Sequence, residues 1–104
     1  MSVPEEKNAQ GPPGDREVLW FRLYVAAHTP DSDRAIANLQ SVCQEHFSDR
    51  YMIEVVDILE QPLRALSEGV LVTPTLVRVS PLPVRKIVGD LDETAIMQHA
   101  LGRE

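Results

Sequence analysis

One proline limits the folds that this chain can adopt. Residues 70–79 read VLVTPTLVRV, a run rich in Val and Leu that is typical of a strand, yet Pro74 lies near its middle. Proline has no amide hydrogen for a sheet ladder, so within sheets it is confined to strand starts, edges and bulges. We therefore expect Pro74 to stand at the head of a strand, and the strand proper to cover residues 75–79.

Length and charge define the class of protein. The 104 residues suffice for one small domain with a single core. The net charge of −6 argues against nucleic acid and anionic membranes as partners, because both attract basic surfaces. No apolar run approaches the ~20 residues of a membrane-spanning helix, and the N-terminus has no signal-peptide pattern. With a single cysteine, the chain is expected in a reducing cytoplasm.

The chain divides into a tail and one domain. Residues 1–17 read MSVPEEKNAQGPPGDRE, with three prolines, two glycines and almost no large apolar side chains. Such a segment cannot bury enough apolar surface to offset its loss of conformational entropy, so we expect it to be disordered. The domain is then expected to cover residues 18–104.

The domain alternates between strand and helix patterns in the order β-α-β-α-β-β-α. The predicted segments are a strand at 18–26, a helix from Pro30 to about Phe47, a strand at 51–58, a short helix between Pro62 and Gly69, strands at 75–79 and 84–88, and a helix after Asp92. The first strand carries bulky residues on both faces, which predicts a central position. A helical crossover makes the first two strands parallel, and the short SPLP turn makes the last two antiparallel.

Local signals define the first helix best. Thr29 is placed to be its N-cap and Pro30 its first residue. Asp31 and Asp33 then put negative charge in the first turn, where it suits the helix dipole.

A parallel βαβ unit followed by an antiparallel ββα unit is the thioredoxin-like arrangement of an α/β fold. Such folds place a cis-proline at the start of the third strand, which is the position of Pro74.

The chemistry of a redox thioredoxin is missing. Such a protein needs Cys-x-x-Cys at the start of the first helix, and that place reads AHTPDSD here. Cys43 lies on the apolar side of the helix and is predicted to be a buried structural thiol, with a regulatory thiol as the alternative. His28 is interpreted as a loop residue, and His46 and His99 as partly exposed helical residues without zinc-type spacing. No catalytic, metal or cofactor residue is predicted, which favours a binding or adaptor domain over an enzyme.

Three segments resemble the KaiB family of small circadian-clock proteins. They read LYVAAHTPDSDRAI, VVDILEQP and VTPTLVRVSPLPVRKIVGDL, and the resemblance covers about residues 21–91. It implies a protein that is not an enzyme and needs no cofactor. KaiB proteins bind the N-terminal ATPase ring of the hexameric KaiC, and once bound they sequester KaiA and displace the histidine kinase SasA. The SasA sensory domain is a related module, so a signalling module that acts on a histidine kinase in trans is the alternative function.

The resemblance also implies two folds. KaiB proteins interconvert between a β-α-β-β-α-α-β ground state, typically tetrameric, and a monomeric thioredoxin-like state that binds KaiC. Pro74, Pro81 and Pro83 are the prolines expected to take part in this switch, with a cis Thr73–Pro74 bond in the thioredoxin-like state. The C-terminal segment would be a strand in the ground state, but its Ala, Glu, Gln and Met residues are helix formers. We therefore expect the thioredoxin-like state to predominate.

Four basic residues match basic positions of the family and are candidates for partner contacts. They are Arg22 in the first strand, Arg34 in the first helix, and Arg85 and Lys86 after the proline turn. From the residues alone, the pair Arg85–Lys86 is either an exposed strand end or a contact patch for an acidic surface.

Overall fold

A four-stranded sheet and three helices make up the computed structural model, which describes residues 18–89 and 91–101. The elements are β1 (Leu19–Val25), α1 (Pro30–His46), β2 (Tyr51–Asp57), α2 (Pro62–Ser67), β3 (Thr75–Ser80), β4 (Arg85–Val88) and α3 (Glu93–Leu101). This order confirms the predicted β-α-β-α-β-β-α arrangement. The tail predicted at residues 1–17 and the end of the domain at 102–104 lie outside the described residues. No helix among the described residues has the length and apolar character needed to cross a membrane.

The strands lie in the order β2-β1-β3-β4. β1 pairs parallel with β2 and antiparallel with β3, and β4 pairs antiparallel with β3. The central position predicted for β1 is therefore confirmed. Its neighbours come from distant parts of the chain, so β1 joins the parallel first half of the fold to the antiparallel second half.

The start of α1 agrees with the sequence signals. The Thr29 hydroxyl accepts a hydrogen bond from the backbone N–H of Ser32 at 3.2 Å, and Pro30 is the first helical residue. Asp31 and Asp33 lie in the first turn, next to the positive end of the helix dipole. The cap fixes the point at which the chain leaves β1 and enters the helix.

Alternation along the strands separates two apolar clusters, one on each face of the sheet. The face that α1 and α3 cover, here the α1/α3 face, contains the larger cluster: Phe21, Leu23, Val25, Ala35, Leu39, Val42, Cys43, Leu76, Leu91, Ile96 and Ala100. The opposite face, here the α2 face, contains Tyr24, Val56, Ala65, Val70 and Val77. Cys43 is fully buried, as predicted, and burial raises the pKa of its thiol to about 11. This thiol therefore stays protonated at neutral pH.

Pro74 is buried and directly precedes β3, which begins at Thr75. The proline thus heads the strand and does not interrupt it. The Thr73–Pro74 peptide bond is cis, as are the bonds that precede Pro81 and Pro83.

One expectation about the last helix is wrong. His99 is 5% exposed, although the sequence predicted a partly exposed position. It lies three residues after the buried Ile96 and next to the buried Ala100, so it belongs to the inner side of α3. Its ring centroid lies 6.5 Å from that of Phe21 on β1. The spacing from Ile96 was the available local signal, and the docking of α3 on the sheet decides that this side of the helix is buried.

Candidate partner-binding surface

Strand register places the four predicted contact residues on different faces. Arg22 on β1 lies opposite Val77 on β3, which lies opposite Lys86 on β4, so this row belongs to the α2 face. Arg85 belongs to the other row, beside Arg78, on the α1/α3 face. Arg34 comes from the start of α1. The structure therefore does not bring the four cations into one patch.

Arg22 is bound within the molecule. Its Nε donates to Glu54 Oε1 at 3.0 Å and its Nη1 to Glu68 Oε1 at 2.8 Å, and its guanidinium lies 5.6 Å from the centre of the Trp20 ring. The side chain is only 17% exposed. Burial lowers the pKa of Arg22, but the bonds to Glu54 and Glu68 outweigh it, and the net pKa lies above its ordinary value. The positive charge of Arg22 is therefore already neutralised by Glu54 and Glu68 within the molecule.

The carboxylates of this network join α2 to the sheet. Arg64 of α2 forms an ion pair with Glu54 Oε2 at 2.9 Å, and the Tyr24 hydroxyl donates to Glu68 Oε1 at 2.5 Å. The bond from Arg22 lowers the pKa of Glu54 despite its partial burial. Burial alone would raise the pKa of Glu68, but the bonds from Tyr24 and Arg22 lower it. Sequence reasoning missed the bonds that Arg22 and Tyr24 make to Glu54 and Glu68, because they join residues 32 to 46 positions apart.

Removing the Tyr24 hydroxyl tests this network. We expect Tyr24→Phe to lower the free energy of unfolding by about 1–2 kcal/mol, since hydrogen bonds to charged groups contribute more than neutral ones. Urea denaturation at pH 7 measures the loss. Tyr51→Phe is the matched control, because the Tyr51 hydroxyl has no hydrogen-bond partner among the described residues. Equal losses in the two variants would contradict the role of the Tyr24–Glu68 bond.

Lys86 is exposed but also contacts α2. Its Nζ donates to the backbone carbonyl of Glu68, at the C-terminal end of the helix. Gly69 follows at φ +74°, the left-handed conformation predicted for the residue after a helix. A Cβ at Gly69 would lie 3.1 Å from the Lys86 Nζ, so glycine also leaves room for this contact.

Arg34 is a predicted contact residue whose side chain is largely exposed. Its guanidinium donates to Asp31 at 3.1 Å, and the side chains are 61% and 73% exposed. An ion pair this exposed contributes little to stability, so a partner can displace it at small cost. Arg34 lines a cleft of about 350 Å³ whose other walls are Asp31, Ala35, Thr73, Pro74, Gly89 and Leu91.

The cleft joins the two features that the sequence singled out. It brings the first turn of α1, where redox thioredoxins carry their cysteines, next to Pro74 at the head of β3. The side chains at this turn are hydroxyls and carboxylates, which are suited to hydrogen bonding and not to thiol exchange. Among the described residues, no three His, Cys, Asp or Glu side chains lie close enough to hold a metal ion. The cleft therefore presents an exposed guanidinium, a carboxylate and a hydroxyl, which are groups suited to polar contacts with another molecule.

Arg85 borders a buried basic cluster. Arg78 is 3% exposed, and its Nη1 donates to the Ala100 carbonyl at 3.0 Å while Nη2 donates to the Pro83 carbonyl at 3.2 Å. These bonds hold the end of α3 and the β3–β4 turn. Burial, and then the charges of Arg78 and Arg85, lower the pKa of His99 to about 4. Sequence analysis missed Arg78, although its odd position in an apolar strand was the available signal.

Comparisons with known proteins identify the family. The family model described as KaiB domain matches residues 22–103. The circadian clock protein KaiB3 of Synechocystis sp. is 42% identical over 80 residues, which cover 77% of this chain and 78% of that protein. The circadian clock oscillator protein KaiB of Microcystis aeruginosa is 46% identical over 73 residues, 70% of each chain.

Solved structures agree on the fold. The N-terminal domain of Synechococcus elongatus SasA superposes with a TM-score of 0.70 at 20% identity, covering 93% of this chain and 96% of that domain. A chloroplastic thioredoxin z gives a TM-score of 0.66 at 20% identity, with 81% and 76% covered. Both likenesses support the predicted thioredoxin-like architecture. With the family model spanning most of the domain and relatives above 40% identity, the chain belongs to the KaiB family.

Proposed function

We propose that this chain is a non-enzymatic clock adaptor that binds the ATPase ring of a KaiC-like protein in its thioredoxin-like state. Membership of the KaiB family, whose relatives are circadian clock proteins, supports the clock role. The observation that carries the binding role is the cleft beside Pro74. In a thioredoxin-like fold this is the position of the redox centre, and here it presents an exposed Arg34 with no cysteine.

The positions of the cations refine the proposed surface. Arg34 is exposed at the cleft, whereas Arg22 is enclosed by Glu54 and Glu68. Arg85 and Lys86 lie on β4, at the edge of the sheet. We therefore assign Arg34 the main contact with an acidic patch of the ring, Arg85 and Lys86 a peripheral contact, and Arg22 the role of holding α2 in place.

Charge reversal at Arg34 tests the proposal. Arg34→Glu should weaken binding to purified KaiC rings by about tenfold or more, because it places a like charge against the acidic patch. Arg85→Glu should also weaken it, to a smaller extent. Biolayer interferometry with immobilised rings measures both. Arg50→Glu is the control, since Arg50 is exposed in the turn after α1 and away from the cleft. No complex with any KaiC homologue would refute the proposal.

The proposal includes a second fold. In the family's ground state the segment of α3 is a strand, and Pro74, Pro81 and Pro83 bracket β3, which lies in the half that rearranges. Helix-forming residues in α3 support the thioredoxin-like state as the main one. NMR secondary shifts of residues 93–101 distinguish the two folds. Helical shifts are expected in the isolated chain, and strand shifts would show that the ground state predominates.

A second function is favoured by the likeness to the SasA N-terminal domain, which covers nearly all of that domain. In this alternative the chain is an interaction module that acts on a histidine kinase in trans. Binding of a purified SasA-type kinase in the absence of KaiC would support it. Binding that requires the KaiC ring would support the adaptor.

A further inference from the structure

An apolar row crosses the α2 face at the end of the sheet where β1 begins. Its members, here called the Trp20 row, are Met52 on β2, Trp20 on β1, Val79 on β3 and Val84, which directly precedes β4. Trp20 lies opposite Met52, and alternation from Val77 and Lys86 puts the two valines on the same face. Met52 and Val84 are each 50% exposed, and Trp20 and Val79 are partly exposed.

The Trp20 row lies apart from both α2 and the cleft. The apolar cluster beneath α2 contains Tyr24, at the opposite end of β1. Between that cluster and the Trp20 row lies a charged row, in which Arg22 pairs with Glu54 across the two strands. The cleft is also at the far end of the sheet, because Thr75, the residue after its proline, pairs with Tyr24. The Trp20 row is therefore a separate apolar surface of the kind that marks an interaction site.

The chain itself leads into this row from its N-terminal segment. Val18, the first described residue, is 42% exposed and stands two positions before Trp20, on the same face by alternation. Residues 11–14 of the preceding segment read GPPG. Pro13 stands five residues before Val18, and five residues of extended chain span at most about 17 Å. Trp20 lies only about 7 Å beyond Val18 along the strand, so Pro13 is within reach of the indole.

Consecutive prolines suit such a surface. Proline has no amide hydrogen, so it covers apolar groups without leaving a backbone donor unpaired. Two adjacent prolines favour the polyproline II conformation, so little backbone entropy is lost when they bind. Proline-rich segments bind proteins on aromatic side chains. Trp20 supplies such a ring, and it remains partly exposed although the Arg22 guanidinium lies 5.6 Å from its centre.

A tethered segment has an advantage over a separate chain at this row. Attachment through residues 14–17 gives the two prolines an effective concentration on the order of millimolar at the Trp20 row. Gly14 allows the chain to reverse its direction there. The four side chains of the row also fall well short of the roughly 20–30 residues on each side of a stable interface between two proteins. These points favour the chain's own GPPG segment as the occupant.

We propose that residues 11–14 fold back over the Trp20 row and pack Pro12 and Pro13 against the indole of Trp20. The segment then covers an apolar surface that is otherwise open to other proteins. The predicted disorder of residues 1–10 is unchanged by this contact. Because the row lies away from the cleft and from Arg34, the inference does not depend on the proposed binding of an ATPase ring.

Trp20 is the single tryptophan of the chain, so its fluorescence tests the proposal. In the full chain, Pro12→Ser/Pro13→Ser should shift the Trp20 emission to longer wavelength. It should also raise the Stern–Volmer constant for acrylamide at least about 1.5-fold, because more of the ring meets solvent. Pro4→Ser is the matched control, a proline substitution further from the row, and should change neither quantity. Unchanged emission and quenching in the double variant would overturn the proposal.

Two further measurements identify the contact itself. Nuclear Overhauser effects between the ring protons of Trp20 and the side chains of Pro12 or Pro13 are expected in the full chain, and their absence would contradict the packing. A contact within one chain does not depend on protein concentration. The difference in quenching between wild type and double variant should therefore persist on about hundredfold dilution. A difference that disappears on dilution would assign the prolines to a second copy and refute the proposal.

Discussion

Replacing Arg78 with methionine is expected to lower the free energy of unfolding by roughly 2–4 kcal/mol, which is a large part of the stability of a small domain. The guanidinium is buried and donates to the Ala100 and Pro83 carbonyls. Methionine fills much of the same volume but donates no hydrogen bond, so the buried Ala100 carbonyl loses a donor. Urea denaturation at pH 7 measures the effect.

Two further variants separate charge from geometry at this position. Arg78→Lys retains the charge but cannot donate from a planar fork to two carbonyls, so it should recover only part of the loss. Arg34→Met removes an exposed arginine and should change stability by less than about 0.5 kcal/mol. A loss at Arg78 as small as that at Arg34 would contradict the role assigned to the buried guanidinium.

The largest expected effect of pH arises at His99. Its pKa is lowered to about 4 in the folded chain, by burial and by the charges of Arg78 and Arg85, against 6.5 when unfolded. Protonation therefore favours the unfolded chain. The stability that depends on neutral His99 is complete above pH 6.5 and is lost as the pH falls towards 4. At pH 5.5 the loss is about 1.4 kcal/mol, and it approaches about 3 kcal/mol near pH 4.

Burial gives this effect a structural basis. The Nε2 of His99 has no hydrogen-bond partner among the described residues, so an added proton there would find no acceptor in that part of the chain. Urea denaturation at pH 7.5, 6.5 and 5.5 should show a loss in the wild type that His99→Leu abolishes. This window lies above the one in which Glu54 and Glu68 lose their ion pairs, because their pKa values are below the ordinary 4.5. Parallel pH profiles of wild type and variant would contradict the assignment.

Local signals predicted most of the fold. The cap at Thr29, the proline at the head of β3 and the bulky residues on both faces of β1 each have a short-range physical cause, and the structure contains all three. They fix where elements begin and which strand is central. They do not fix which side chains meet across the sheet.

The candidate site was less predictable from the sequence, because it depends on which side chains meet after folding. Arg22 matched a family position for partner contact, yet Glu54 and Glu68 enclose it after folding. His99 and Arg78 are polar residues that become buried only when α3 docks on the sheet. The exposure of Leu63 and Leu66 on α2 also depends on tertiary contacts, since this short helix packs Ala65 against the sheet and pairs Arg64 with Glu54 of β2.

The central position of β1 has a consequence for synthesis on the ribosome. Its parallel partner β2 emerges soon after α1, but its antiparallel partner β3 begins about fifty residues after β1 ends. At about 5–20 residues per second, one long edge of β1 stays unpaired for some 3–10 seconds of translation. Strands of other chains can pair with an unpaired strand edge. During these seconds the nascent chain therefore avoids aggregation only if such pairing is slow or if a chaperone covers the edge.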